Sequence, residues 1–330
     1  IDLQEIFDKG RFILKVATGL ILLEALAGSL FIRFVFGTPW VVTVITALSF
    51  ATVGEAVLLP ILEEFELMET DLGQTIVGVG VVDDIFEIFT ITLVSILLGI
   101  RAEAGRVNIV VAFGALVALF VLTYLVRKLP LRRTGFWFSR TEMSEGALFV
   151  FVLFVVFTYI QIGSYVDASA IGALLAGIAV ENFIPTERFE LVEDDVKAVT
   201  YGFFGPLFFL WVGIDASIDY LLTAPLLVVA LILVVNATKI GGSYLLGKSE
   251  LGGKRSVFMG VSLCVKFSTS IVLIKLLFER GLFGTKLYSV LIASTIAFKF
   301  LVPLLLAAMS SRWELTPSES QDVESKTPTA

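Results

Sequence analysis

Residues 78–87 read Gly-Val-Gly-Val-Val-Asp83-Asp84-Ile-Phe-Glu87, and they lie within an apolar run from about 74 to 100. A helix of that length is long enough to cross a bilayer. Two adjacent carboxylates in hydrocarbon cost several kcal/mol unless they are paired, hydrated or protonated. On a helix, Asp83, Asp84 and Glu87 share one face. The apolar residues on both sides disfavour the alternative of a solvated acidic helix end, so we expect a membrane helix that uses its carboxylates.

The composition of the whole chain supports a membrane protein. Of its 330 residues, 57% are hydrophobic, and the mean hydropathy is +0.94. Soluble domains do not have this composition, whereas an all-α polytopic membrane protein does. The chain has one cysteine, Cys264, and no histidine. This excludes a disulfide framework, histidine bases and histidine or cysteine metal clusters, so any proton chemistry must use carboxylates and lysines.

The sequence shows no pattern of an enzyme. Nothing resembles a nucleophile with its base, a phosphate-binding loop or a metal cluster. We therefore predict that the chain is not an enzyme, has no catalytic residues and no cofactor, and does not bind nucleic acid.

The apolar runs predict about ten membrane spans, at about 12–36, 40–62, 74–100, 107–126, 146–162, 168–180, 201–214, 221–246, 257–277 and 287–309. Polar residues interrupt the second span at 52–55 and the ninth around 266–270. Basic residues cluster after the fourth span, which predicts that this loop and both termini are cytoplasmic. The end of the chain, 313–330, is predicted to be a disordered cytoplasmic tail.

An internal repeat is indicated by three matches with one offset. The matches, each 213 residues apart, are Asp2 with Asp215, Gly28 with Gly241, and Phe65-Glu66 with Phe278-Glu279. An odd number of spans separates equivalent helices, so the copies have opposite orientation, as in many secondary transporters. We predict a first inverted repeat at 1–100, linking and dimerisation helices at 101–213, and a second inverted repeat at 214–312. Spans precede only the second copy, so we expect N-terminal helices to be missing.

The interrupted spans are expected to carry polar and charged side chains to their breaks. A broken helix leaves free N–H and C=O groups inside the membrane, and these groups attract ions and charges. The candidates that line the breaks are Thr52, Glu55, Lys266, Ser268 and Thr269. For the hydroxyl residues the alternative is a bond back to the carbonyls of an unbroken helix.

Lys239 lies deep in the eighth span and needs a negative partner there. We predict Asp83 or Asp84 as that partner; the alternative is that the lysine reaches the membrane surface. Asn236 and Glu87 are candidates for accessory positions. A carboxylate in a cavity is a hard oxygen ligand suited to Na⁺ or Li⁺, and it accepts a proton equally well. Cation and proton would then compete for one site.

These residues resemble a known family, the monovalent cation:proton antiporters, which comprise Na⁺/H⁺ exchangers with Kef-type K⁺/H⁺ exchangers as relatives. The resemblance rests on Gly-Val-Val-Asp-Asp at 80–84, on Phe-Phe-Gly-Pro-Leu-Phe-Phe-Leu-Trp-Val-Gly at 203–213, on Ile-Asp at 214–215, and on Lys239. Kef-type members usually carry Gln-Asp in place of the Asp-Asp pair, which favours the Na⁺/H⁺ side.

The resemblance implies roles for individual residues. It implies that Asp84 binds the cation or the proton and that Asp83 pairs with Lys239. It also implies two crossed broken helices, a core that moves against a dimerisation domain, and a homodimer. Members with two aspartates tend to exchange more than one proton per Na⁺. The chain departs from the family at 264–270, which reads Cys-Val-Lys-Phe-Ser-Thr-Ser, and at Gly54-Glu55.

The predicted function is secondary active exchange of Na⁺ or Li⁺ for H⁺ by alternating access. We expect an integral protein of a prokaryotic cell membrane, in contact with lipids and with no metal other than the transported cation. Two alternatives stay open. One is a K⁺/H⁺ antiporter of the Kef type, and the other, from a different class, is a non-transporting membrane sensor or subunit.

Overall fold

The computed structural model describes residues 10–102, 109–128, 144–164, 169–181, 183–184, 186–266 and 269–313, and all regular elements within them are helices. The helices are α1 (Gly10–Phe36), α2 (Trp40–Phe50), α3 (Glu55–Glu64), α4 (Asp71–Ala102), α5 (Ile109–Lys128), α6 (Glu145–Ser164), α7 (Ser169–Glu181), α8 (Thr186–Val199), α9 (Gly205–Ile214), α10 (Ile218–Thr223), α11 (Pro225–Gly247), α12 (Gly253–Ser262), α13 (Thr269–Glu279) and α14 (Thr285–Trp313). A π-helical turn at Thr200–Phe204 joins α8 to α9.

Five of the described helical segments are long and apolar enough to cross a membrane. They are Gly10–Phe36, Gly146–Ser164, Val192–Ile214, Pro225–Gly247 and Thr285–Trp313. The expectation of an all-α polytopic membrane protein is therefore confirmed, while the count of ten spans stays a prediction. Asp2, the basic loop at 129–143 and the tail at 314–330 lie outside the described residues, as do the repeat and orientation arguments that depend on them.

The described residues form two compact units. The first combines residues up to Glu87 with those from Val212 onward, and the second comprises Ile88–Trp211. In the first unit, α1 packs against α2 and α11, α11 packs against α12 and α14, and α13 packs against α2 and α14. In the second unit, α7 packs against α5 and α6, and α6 also contacts α8. The predicted division at 100, 213 and 312 follows the repeats and stays a prediction.

Both spans that the sequence marks as interrupted consist of two helices in the first unit. Helix α2 ends at Phe50 and α3 begins at Glu55, so the first break is Ala51–Gly54. Helix α12 ends at Ser262 and α13 begins at Thr269. The second break therefore covers residues 263–268, of which 263–266 are described.

The boundaries of two spans differ from the prediction. The seventh begins earlier, because α8 continues through the π turn into α9; its acidic first turns lower the hydropathy that marks a span. The eighth is divided, because α10 ends at Thr223 and a new helix, α11, begins at Pro225. Proline is suited to the first turn of a helix, where its missing N–H has no intrahelical partner.

The burial pattern is that of a membrane protein with a charged interior. Large apolar side chains such as Phe34 and Leu226 are exposed, while Glu24, Lys239 and Lys266 are buried. In water this pattern would be unfavourable, but in lipid the apolar surface faces hydrocarbon and the charges must be satisfied inside the protein. The buried charges of the first unit therefore need individual partners.

Candidate functional site

The two helix breaks touch each other through hydrogen bonds. The N–H of Gly54 in the first break donates to the carbonyl of Val265 in the second, at 2.8 Å. The hydroxyl groups of Thr52 and Ser270 share a hydrogen bond of 2.5 Å. Two segments more than 200 residues apart in the chain thus form one polar crossing.

Lysine ammonium groups satisfy the carbonyl ends at both breaks. Lys266 Nζ donates to Phe50 O at 2.5 Å, is 3.4 Å from Thr52 O, and lies 4.8 Å from the centre of the Phe50 ring. Lys239 Nζ donates to Leu263 O at 2.9 Å. The carbonyl end of a helix carries partial negative charge, which a cation stabilises. Each break therefore has its own buried cation.

Gly260 allows the close approach that brings Lys239 to the second break. A Cβ at Gly260 would lie 2.7 Å from the Cα of Ile240 and 3.1 Å from the carbonyl oxygen of Lys239. Any side chain at this position would push α12 away from α11. The hydrogen bond from Lys239 to Leu263 depends on this contact, because Leu263 directly follows α12.

A carboxylate satisfies the amide end at the first break. Val53 N donates to Asp83 Oδ2 at 2.7 Å, two residues before α3 begins. The N-terminal end of a helix carries partial positive charge and favours an anion. Asp83 is buried, while the next residue, Asp84, is half-buried. The hydrogen bond from Val53 thus fixes the acidic stretch of α4 beside the crossing.

Glu24 on α1 lies between the two lysines. Its Oε2 is 3.2 Å from Lys239 Nζ, and its Oε1 is 2.5 Å from Lys266 Nζ. All three side chains are at most 3% exposed. With Asp83, the crossing contains two buried cations and two buried anions, so these charges balance. Buried ion pairs need such balance, because an uncompensated charge in a low dielectric is strongly unfavourable.

The direct pairing of Lys239 with Asp83 or Asp84 is wrong for this structure. Lys239 forms its ion pair with Glu24, and Asp83 instead accepts the N–H of Val53. The cause is the close packing of α1 on α11, where a Cβ at Gly242 would lie 2.8 Å from Leu20 and 3.1 Å from Leu23. This contact brings Glu24, the neighbour of Leu23, opposite Lys239. Asp83 still feels the charge of Lys239, but at longer range.

The other predicted site residues have different placements. Thr52 and Lys266 are buried at the crossing, Asn236 is half-buried on α11 one turn before Lys239, and Glu87 is buried on α4. Glu55 and Thr269 are the first residues of α3 and α13, but their side chains lie outside the described residues, as does the whole of Ser268. Lys299, which the sequence leaves unassigned, is exposed on α14.

Sequence reasoning missed Glu24 as a member of the site. The available signal was a glutamate in the middle of an apolar span, together with two lysines in other spans that each need an anion. A span-by-span reading assigns each charge separately, so it does not show that one carboxylate serves two cations.

A second charged cluster in the first unit was also missed. Lys275 on α13 forms ion pairs with Asp215, in the turn after α9, and with Glu279 at 3.5 Å. The ammonium lies 5.8 Å from the ring of Tyr288, whose hydroxyl donates to Val212 O at 2.8 Å. Lys275 is buried, but both carboxylates are partly exposed. We call these residues the Lys275 cluster.

The apolar helices and the balanced interior charges are those of an integral membrane protein. More narrowly, the chain belongs to the sodium/hydrogen exchanger family: the family described as "Sodium/hydrogen exchanger, transmembrane" matches residues 1–310. This confirms the resemblance to the monovalent cation:proton antiporters. It also agrees with the expectation that the chain is not an enzyme, because the family is one of exchangers.

Three curated relatives are similar over most of the chain. A probable Na⁺/H⁺ antiporter 3 of Methanocaldococcus jannaschii is 26% identical over 275 residues, 82% of this chain and 69% of the relative. The Na⁺/H⁺ antiporter of Enterococcus hirae is 24% identical over 78% of this chain and 66% of its own length. The Na⁺/H⁺-K⁺ antiporter GerN of Bacillus cereus is 23% identical over 92% of this chain and 77% of its own length. The matched regions thus span about two thirds to three quarters of these relatives.

Proposed function

We propose that this protein exchanges Na⁺ or Li⁺ for protons across a membrane by alternating access, with cation and proton competing for Asp84. The observation that carries the proposal is the hydrogen bond from Val53 N–H to Asp83, which holds the acidic stretch of α4 against a broken helix. Asp84 follows directly and is half-buried, so its carboxylate is neither sealed in the core nor fully in water. The names of the antiporter relatives support the same reaction.

The charges around Asp84 favour a single exchangeable ion. Glu24, Asp83, Lys239 and Lys266 balance one another, so an ionised Asp84 adds one negative charge to the crossing. A carboxylate oxygen binds hard cations and also binds a proton. Either ligand neutralises the added charge, and both cannot occupy the same oxygen. Exchange then needs only that the loaded site faces each side of the membrane in turn.

The assembly implied by the family resemblance belongs to the same proposal. We infer inverted repeats that each contribute one broken helix, a homodimer in the membrane, and termini on the cytoplasmic side. The two breaks that meet at the crossing support the repeat, because they come from chain segments on either side of residues 88–211. Crosslinking in native membranes tests the dimer, and protease accessibility of the termini in sealed vesicles tests the orientation.

Exchange in proteoliposomes tests the proposed reaction. We expect an inward gradient of Na⁺ or Li⁺ to drive proton release, and Asp84→Asn to abolish that release without lowering the thermal unfolding midpoint in detergent. Glu279→Gln is the matched control, because it removes a carboxylate of the Lys275 cluster, and it is expected to retain exchange. Normal exchange by Asp84→Asn would show that the single-site mechanism is wrong.

The same assay separates the alternatives. The name of GerN includes K⁺, which is the specific reason to test this cation beside Na⁺ and Li⁺. Proton flux driven by K⁺ and not by Na⁺ or Li⁺ would replace the proposal with K⁺/H⁺ exchange. A folded protein that moves protons with none of the three cations would be a sensor or a non-transporting subunit.

A further inference from the structure

Glu24 connects the two helix breaks through both of its carboxylate oxygens. Oε1 binds Lys266, which holds the carbonyl end of α2 at Phe50. Oε2 binds Lys239, which holds the carbonyl of Leu263 after α12. One carboxylate on α1 thus fixes two cations, and each cation fixes one broken helix.

The bridging position makes it unfavourable for either lysine to lose its charge. Glu24 is buried beside both ammonium groups. Removing one partner of a buried ion pair leaves a charge without compensation, and water does not reach it. Lys239 therefore has a permanent anionic partner that takes no part in the hydrogen bond at Val53.

Lys239 is also independent of the acidic pair on α4. Asp83 accepts the N–H of Val53, and Lys239 makes no direct ion pair with Asp83 in the described residues. Binding of a cation or a proton on α4 therefore does not have to displace a lysine. Lys239 keeps its proton and its position whichever ligand is present.

We propose that Glu24 is a positioning residue that holds Lys239 and Lys266 charged and in place throughout the cycle, so that one proton is exchanged per cation and the exchange moves no net charge. This inference rests on the proposed function. It differs from the tendency of two-aspartate members of the family toward more than one proton per Na⁺.

The membrane potential distinguishes the two stoichiometries. If a second proton were exchanged, one net charge would cross per cycle, and 100 mV would shift the equilibrium Na⁺ gradient roughly 50-fold at fixed pH gradient. With one proton per cation, the same potential leaves the gradient unchanged. Proteoliposomes with a fixed pH gradient, and a potential clamped by an ionophore for an ion that the protein does not exchange, give this readout.

The expected result for the unaltered protein is an equilibrium Na⁺ gradient that is the same at 0 and 100 mV. In Glu24→Gln, Lys239 loses its partner and has the charge of Asp83 nearby, so we expect the gradient to shift with potential. Glu24→Asp, which keeps the charge, is expected to restore insensitivity to potential. A roughly 50-fold shift in the unaltered protein would overturn the inference while leaving the proposed exchange intact.

Double-mutant cycles test the position of Glu24 without any transport. Thermal unfolding in detergent is measured for Glu24→Gln, Lys239→Gln and their combination, and for Asp83→Asn combined with Lys239→Gln. We expect strong non-additivity for the Glu24 pair and near-additivity for the Asp83 pair, because coupling is strong only between directly interacting groups. The reverse order would overturn the inference. Absence of proton flux with every cation would overturn the proposed function and this inference with it.

Discussion

The crossing and the Lys275 cluster both place a lysine inside the first unit, but they differ in where the carboxylates lie. At the crossing, Lys266 is fully buried and its partner Glu24 is 3% exposed. In the Lys275 cluster, the lysine is 1% exposed, while Asp215 and Glu279 are 39% and 42% exposed. Water can therefore stabilise the anions of the cluster, whereas the anion of the crossing depends on protein groups alone. A buried lysine is thus expected to matter most where both charges of the pair are buried.

This difference gives the largest predicted effect, from the same substitution in both regions. Lys266→Met leaves Glu24 with one cation and removes the donor to Phe50 O, so we expect a loss of about 3–5 kcal/mol in the free energy of unfolding. Lys275→Met leaves carboxylates that water can solvate, and we expect a loss of at most about 1 kcal/mol. Denaturant unfolding in detergent measures both variants. Equal losses would mean that exposure of the carboxylates does not decide the cost.

The second prediction tests whether the crossing depends on the close approach of α12 to α11. Gly260→Ala places a Cβ against the backbone of Ile240, and overpacking of this kind costs about 1–3 kcal/mol. Gly241→Ala is the matched control on α11, because no other atom lies within 4 Å of its added Cβ. We expect the control to be as stable as the unaltered protein or slightly more stable. Loss of exchange should accompany the first variant alone, since it separates Lys239 from Leu263.

The smallest predicted effect concerns the hydroxyl pair between the breaks. Ser270→Ala leaves the buried hydroxyl of Thr52 without this partner, and we expect a loss of about 1 kcal/mol. Ser289→Ala is the comparison near the Lys275 cluster, where the Ser289 hydroxyl accepts the N–H of half-buried Ser217 at 2.7 Å. A smaller loss is expected there, because water can replace the missing acceptor. If Ser289→Ala is the more costly variant, the hydroxyl pair contributes little to the crossing.

The helix breaks show how far local sequence carries a prediction. Thr52 and Lys266 stand at the breaks as predicted, because polar residues in an apolar span disrupt a membrane helix where they occur. The π turn and the early start of the seventh span were not predicted, since the acidic turns of α8 have no apolar pattern. Local patterns thus identify where backbone groups become free, but less reliably where a helix begins.

The ion pairs show where local sequence ends. Glu24, Asp83 and Asp84 were all available as the anion for Lys239, and nothing in the spacing of residues ranks them. The packing of α1 on α11 selects Glu24, and the N–H of Val53 occupies Asp83. Pairing between charges about 200 residues apart depends on which helices touch, and this is a property of the whole fold.

The sequence by itself determined that this is an all-α membrane protein with two interrupted spans and buried carboxylates and lysines, because hydropathy and charge are local properties of the chain. It also determined the family, since the Asp83-Asp84 pair and Lys239 are read directly. Only the tertiary structure decided that Glu24 bridges Lys239 and Lys266, and that Lys275 pairs with Asp215. The physical reason is that a buried charge must be balanced by the nearest opposite charge, and the packing of the helices decides which one is nearest.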